Sequence, residues 1–120
     1  MNYLLDTCVA LWVTENKTEK LKTFRHLFRD KDNVFFVSMA SYWEIVMKSS
    51  SGKLKGQEYF FETIQENNAR WLPIDLEHLE VLKTLPLIHR DPFDRLLIAQ
   101  AKASHMKLLT LDETIMKYFQ

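Results

Sequence analysis

Four acids in this 120-residue chain, Asp6, Glu44, Asp94 and Asp112, either follow short apolar runs or sit on the helices that come after them. Carboxylates delivered from several such places converge, and converging carboxylates repel. Without cations, one or more would stay protonated with a raised pKa. Four carboxylates carry four negative charges, which two Mg2+ or Mn2+ ions would balance. Oxygen-only ligation is what those hard ions select. Zinc is disfavoured, since Cys8 has no partner and the four His are scattered. A divalent ion lowers the pKa of bound water and clamps phosphate oxygens. Such a cluster therefore suits hydrolysis of a phosphate ester without a nucleophilic Ser or Cys.

Each acid also has a purely structural account. Asp91 is a good N-cap, Pro92 suits the first helical position, and Asp94 at the third favours the positive helix end. Asp6 and Asp112 likewise stand where N-caps stand. Glu44 can pair with Lys48 four residues on, a contact of a few tenths of a kcal/mol. At about 100° per residue, Tyr42, Val46, Trp43 and Met47 cover one apolar arc, expected to face the core. Glu44 falls at the edge of that arc, beside Ser41 and Lys48. Its apolar neighbours Trp43 and Ile45 suggest more burial than a surface pair needs. Taken singly, structure accounts for each acid; taken together, it does not.

The elements that must position them follow from periodicity and breakers. Tyr3–Leu5 reads as a short buried strand, followed by a helix through Val9, Leu11 and Trp12. Leu21, Phe24, Leu27 and Phe28 stand at helical spacing. Val34–Val37 is a second strand, and Ser38 begins a helix that dies in the Ser-Ser-Ser-Gly stretch at 49–52. A helix over Gln57–Asn67, a strand at Arg70–Ile74 and a helix over Leu76–Leu85 follow. Pro92–Ser104 is a long Ala-rich helix, Lys107–Thr110 a fourth strand and Glu113–Tyr118 a last helical turn. Strands alternating with helices imply a parallel sheet covered on both faces. Function then collects outside the carboxyl ends of the strands. With no internal repeat and no linker, residues 1–120 read as one α/β domain.

Composition narrows the classes further. Sixteen basic and 16 acidic residues cancel to zero net charge, which excludes a polybasic tail gripping nucleic acid non-specifically. At 47% apolar with two Gly and three Pro, the chain is neither disordered nor low-complexity. Cys8 alone forms no internal disulfide, so a reducing, cytoplasmic home is expected. The apolar start, interrupted by Asp6, is too short to span a bilayer and lacks a cleavage signal.

The order LLDT at 4–7, SMASYWEI at 38–45, GKL at 52–54, LPLIHRDPFDRLLIAQA at 85–101 and LLTLD at 108–112 resembles PIN-domain proteins. More narrowly, it is similar to the VapC-type toxins of bacterial toxin–antitoxin operons. The resemblance implies a three-layer α/β/α fold around a short parallel sheet of about four to five strands. It implies a Mg2+- or Mn2+-dependent endoribonuclease that leaves a 5′-phosphate and a 3′-hydroxyl. Its acids correspond to Asp6, Glu44, Asp94 and a looser Asp112, as catalytic residues and metal ligands. Thr7, Ser38 and Thr110 match positions that assist metal or water, and Asp91 is read as a cap first and a ligand second. The resemblance also implies a homodimer and a neighbouring antitoxin that places a basic residue in the acidic cleft. DNA would then be bound only through that partner.

Acids repel RNA unless cations sit nearby. Arg90 and Arg95 flank the acid loop and are the best phosphate-contact candidates, with Lys48 beside Glu44. His89 could be a general acid but reads more readily as a hydrogen-bonded structural residue. Trp12, Trp43 and Trp71 read as core. Two other classes compete with the nuclease. A phosphoacceptor receiver domain would want adjacent acids after the first strand and a Lys ending the last, which are lacking here. A catalytically silent PIN-fold RNA- or protein-binding module would have lost its acids, whereas Asp6, Glu44 and Asp94 are all present.

Overall fold

The computed structural model describes residues 1–120. Its first strand, β1 (Asn2–Leu5), alternates sides as a strand must, and both sides are buried. It leads directly into α1 (Thr7–Thr14). The expected second helix is broken into a 3-10 turn at Lys22–Phe24 and the short α2 (Arg25–Arg29). Then come β2 (Val34–Ser38), α3 (Met39–Ser50) and α4 (Phe60–Glu66). Next are β3 (Arg70–Leu72), α5 (Leu76–Thr84), α6 (Pro92–Ala103) and β4 (Lys107–Leu109). Last is α7 (Glu113–Met116), closed by a 3-10 turn at Lys117–Phe119. Strand β3 stops short of the expected Ile74 because Pro73 has no N–H to give to the ladder. Gly52 adopts φ 77° in the turn beyond α3, a left-handed position that L side chains avoid.

All strand pairs are parallel, in the order β3-β2-β1-β4. Four strands form the sheet, the lower of the expected numbers. The core is double. Tyr3, Leu5, Val37 and Leu109 face Val9, Ala10, Phe24, Ile45, Phe60 and Ile64 on one side. Leu4 faces Ala40, Leu96, Leu97 and Ala101 on the other, with Phe36 and Leu108 packed alongside. Helices α1, α2 and α4 thus cover one face and α5 and α6 the other, the three-layer α/β/α arrangement. A parallel sheet so covered is apolar on both faces: Leu4, Leu5, Val37 and Leu109 are buried, and Phe35, Phe36 and Leu108 are half-buried. None of the helices is long and apolar enough to cross a membrane.

Helix α3 contradicts one expectation from the sequence. Its buried residues are Ala40, Ser41, Glu44 and Ile45, whereas Trp43 and Met47 are 53% and 55% exposed and Val46 is also exposed. Of the apolar arc, Tyr42 packs against the core beside Phe60 and Trp71, but Trp43, Val46 and Met47 form the outer face. Trp43 is therefore not core; it packs edge-on against Phe93 at 4.8 Å. The helix turns inward its small and polar side, towards the start of α1. There the Ser41 hydroxyl meets the Thr7 hydroxyl at 2.9 Å.

Ser38, the last residue of β2, caps α3: its buried hydroxyl accepts from Ala40 N–H and donates to the Gln100 side-chain oxygen. Gln100 in turn reaches Pro73 O and His78.

Candidate functional site

Strands β2 and β3 extend the sheet on one side of β1 and β4 on the other. The carboxyl ends of β1 and β4 therefore flank the point where strand order reverses, where a parallel sheet opens a crevice. Asp6 leaves β1 here. Its N–H bonds Leu109 O at 3.1 Å, adding one rung to the ladder, and its Oδ1 caps α1 through Val9 N–H at 2.7 Å. Burial pushes the Asp6 carboxyl above its usual range. The Thr110 hydroxyl and the Val9 N–H pull it down, while Asp112 and Glu44 push it further up.

Glu44 enters from the second turn of α3 and is only 5% exposed. Its Oε2 holds the Lys48 Nζ at 2.7 Å, the pair expected from the spacing. That bond pushes the Lys48 ammonium up. Its Oε1 is buried and has no hydrogen-bond partner. A buried polar atom left without a partner costs about 1–3 kcal/mol, and more when it is charged.

Asp94 stands in the first turn of α6, but Asp91 is the cap: its Oδ1 accepts from Phe93 N–H and Asp94 N–H at 2.8 and 3.0 Å. The Asp94 carboxylate is thus free of capping duty. Burial, foremost, and then Asp91 push it up to about 6, with Glu44 and Asp6 adding and His89 opposing. Asp112 caps α7 by accepting from Thr114 and Ile115 N–H, and its own N–H donates to the Thr110 hydroxyl oxygen. Two carboxyls raised by burial and by each other, and one buried oxygen without a donor, form an oxygen-only, charge-excessive donor set. A hard divalent cation fits it.

Arg95 and His89 both bear on the loop that carries the third acid. Arg95 donates through Nη1 to Pro86 O at 2.9 Å and to the Tyr118 hydroxyl at 3.2 Å, and through Nη2 to Leu85 O. Its guanidinium ties α6 to the start of the 85–91 loop. Arg90 remains exposed. His89 lies within the site: its Nε2 is 3.0 Å from Asp94 Oδ2 and 3.6 Å from Asp112 Oδ2, the three ligand atoms lying within 4.8 Å of one another. Cys8 is exposed near the acids, where partial burial of its thiol together with Asp6, Asp94 and Glu44 pushes its pKa up.

Tyr118 was invisible as a site residue from sequence. Its hydroxyl, carried by a buried ring, donates to Pro86 O at 2.8 Å and accepts from Ile88 and His89 N–H at 3.0 and 2.7 Å. Tyr118→Phe leaves the His89 N–H without a partner, while Pro86 O keeps Arg95 Nη1 and the Ile88 N–H keeps Pro86 O. It should cost about 1–3 kcal/mol, read as a lower urea midpoint at unchanged m-value.

The PIN domain model matches residues 3–118 of the chain. No curated protein matches it. Among solved structures, it is similar to a chain in the crystal structure of VapBC2 from Rickettsia felis bound to a DNA fragment from their promoter. That match has a TM-score of 0.66 at 17% identity and covers 98% of this chain and 93% of the other. At that identity the likeness concerns the fold.

Proposed function

The chain belongs to the PIN domain family, and from that premise we propose that it is a divalent-metal-dependent endoribonuclease, the toxin of a toxin–antitoxin pair. The observation that carries this reading is the partnerless Glu44 Oε1, buried among carboxyls whose pKa values burial and mutual repulsion raise. Asp6, Glu44 and Asp94 would hold Mg2+ or Mn2+, with Asp112 at the edge. When bound, the cation supplies charge neutralisation and activation of water for attack at phosphorus.

The chain's own residues supply position. Asp91 and Asp6 fix the helix ends from which the acids project. Thr110 orients Asp6 and Asp112 at the crevice. Lys48 keeps one Glu44 oxygen in place, and Arg90, exposed on the rim, meets the RNA backbone. No nucleophilic side chain takes part, so water attack leaves a 5′-phosphate and a 3′-hydroxyl. Incubating the purified protein with RNA should give Mg2+- or Mn2+-dependent cleavage with those ends, abolished by EDTA. Cleavage that proceeds in EDTA, or ends bearing a cyclic phosphate, would overturn the metal-hydrolysis reading.

The partner follows from the cleft's charge and its rim. An Arg or Lys of an antitoxin can enter the acids in place of a cation, Arg bidentately. The apolar remainder of that segment lies over exposed Trp43, Val46 and Met47, a patch that would otherwise remain uncovered. Binding to DNA is assigned to the partner, and the working form is a cytoplasmic homodimer.

A further inference from the structure

A cavity of about 660 Å3 opens between α2 and the end of α4, over the first residues of β2 and β3. It lies towards the amino ends of those strands, whereas the acids stand beyond the carboxyl ends. Small-molecule sites typically enclose about 300–1,000 Å3. The floor is apolar, formed by Leu5, Val13, Ile64 and the rings of Phe28 and Phe35, whose centroids are 4.7 Å apart. The rim is cationic. Arg25, Arg29, Lys31 and Arg70 line it, with Asp30 as the single acid.

Acids and bases are equal in number in this chain, yet the four cations of the rim receive no counter-charge from it. Lys22, Lys48 and Lys83 are each paired with a Glu, but none of the protein's ion pairs includes a cation of the rim. Asp30 turns its Oδ1 to the Asp32 N–H at 2.9 Å. Arg25 and Arg29 stand four residues apart on α2 and so share a face. Planar guanidinium groups match phosphate oxygens bidentately. The nearby amides divide in two. Those of Asn33 and Asn67 donate to Leu27 O and Thr63 O, which leaves those of Asn16 and Asn68 on the wall for a ligand.

We propose that this cavity binds a nucleotide, in its simplest form a nucleoside monophosphate. Arg25 and Arg29 take the phosphate, and the flat base lies on the apolar floor beside Phe28 and Phe35. Asn16 and Asn68 meet the polar edge of the base or the sugar hydroxyls. An inorganic anion alone would leave the apolar floor uncovered, and an apolar ligand alone would leave the cations without counter-charge. A nucleotide satisfies both. The site is separate from the acids and stands whether or not they hold a metal.

The test is calorimetry on the whole protein in EDTA, with AMP as the probe, so that no cation can bridge the nucleotide to the acids. AMP should bind at one site per chain, more tightly than adenosine or inorganic phosphate, and added salt should weaken it. Replacing the exposed pair together, Arg25→Gln with Arg29→Gln, should lower the affinity about tenfold or more. Asn68→Asp should lower it too. Asp tolerates the left-handed backbone at φ 60° and adds a negative charge to the wall. Lys83→Gln, on the far helix α5, should change nothing. In amide NMR spectra AMP should move the signals of Phe35 and Asn68 and leave those of Asp6 and Asp94 in place. A wild type that binds no AMP, or wall variants that bind it as wild type does, would overturn the proposal. So would binding of single-stranded RNA or of a Glu-rich peptide by a protein that leaves AMP unbound, since the rim would then serve a polymer rather than a nucleotide.

Discussion

Asp94→Asn is expected to lower RNA cleavage by more than about a hundredfold and to make the metal-free protein more stable at neutral pH. Losing even a partner of a metal ligand typically costs about 10–100-fold, and here a proposed ligand itself loses its charge. The stability gain follows from the carboxyl's pKa, raised from 3.8 to about 6 in the fold, chiefly by burial. Such a group favours the folded state while protonated, fully so below 3.8, and loses that advantage as pH rises through about 6. With Asp94 only 21% exposed, the difference between those limits is about 3 kcal/mol as an upper figure. Asn carries no charge to bury and retains an oxygen for His89. The metal-free wild type should therefore melt at higher temperature at pH 5 than at pH 7. In Asp94→Asn, which melts higher than wild type at pH 7, that difference should shrink. Thermal scans at the two pH values, beside a cleavage assay, read both effects. Retained cleavage would remove Asp94 from the catalytic set, and a less stable variant at pH 7 would remove the repulsion argument.

Local chemistry made most of the fold legible. Asp6, Ser38, Asp91 and Asp112 each precede a helix and each caps it in the structure. A cap is a contact of two or three residues, so sequence spacing carries it. The strands were legible because both faces of each are covered, which leaves short, unbroken apolar runs. Where the reading failed, the deciding contact was distant. Arg95 looked like a surface cation beside the acids, yet its fork closes on Leu85 and Pro86, ten and nine residues back along a folded loop. Helix α3 looked amphipathic with its aromatics inward. Burial there followed what the neighbours required: Ile45 for the core, Ser41 for Thr7 and Glu44 for the cleft. Hydrophobicity alone could not rank those demands against Trp43 and Met47. His89 was ambiguous for the same reason, because its neighbours Asp94 and Asp112 arrive from α6 and from beyond β4.

Glu44→Gln should abolish most of the stabilisation that a divalent cation gives the wild type. A ligand that binds only the folded chain stabilises it by RT ln(1 + [L]/Kd), about 2.7 kcal/mol at a hundredfold excess over Kd. Mg2+ or Mn2+ should therefore raise the wild-type melting temperature in proportion to the logarithm of its concentration. Glu44 governs that rise because its Oε1 is the buried oxygen that nothing in the chain satisfies. The other oxygen already belongs to Lys48, so a cation gains most at Oε1. Gln keeps the shape but replaces a charged acceptor with a neutral amide, and the Lys48 pair weakens with it. Those two changes oppose each other in the metal-free state: a buried charge is removed, and an ion pair is lost. The baseline melting temperature should accordingly move little compared with the loss of the metal effect. Glu80→Gln, an exposed acid paired with Lys83 on the far helix α5, serves as the control and should keep the full rise. If Glu44→Gln and Glu80→Gln respond to Mn2+ alike, the cation binds elsewhere and the partnerless oxygen has some other purpose. If only Glu44→Gln loses the response, the unsatisfied carboxylate is the place where the charge of the cleft is balanced.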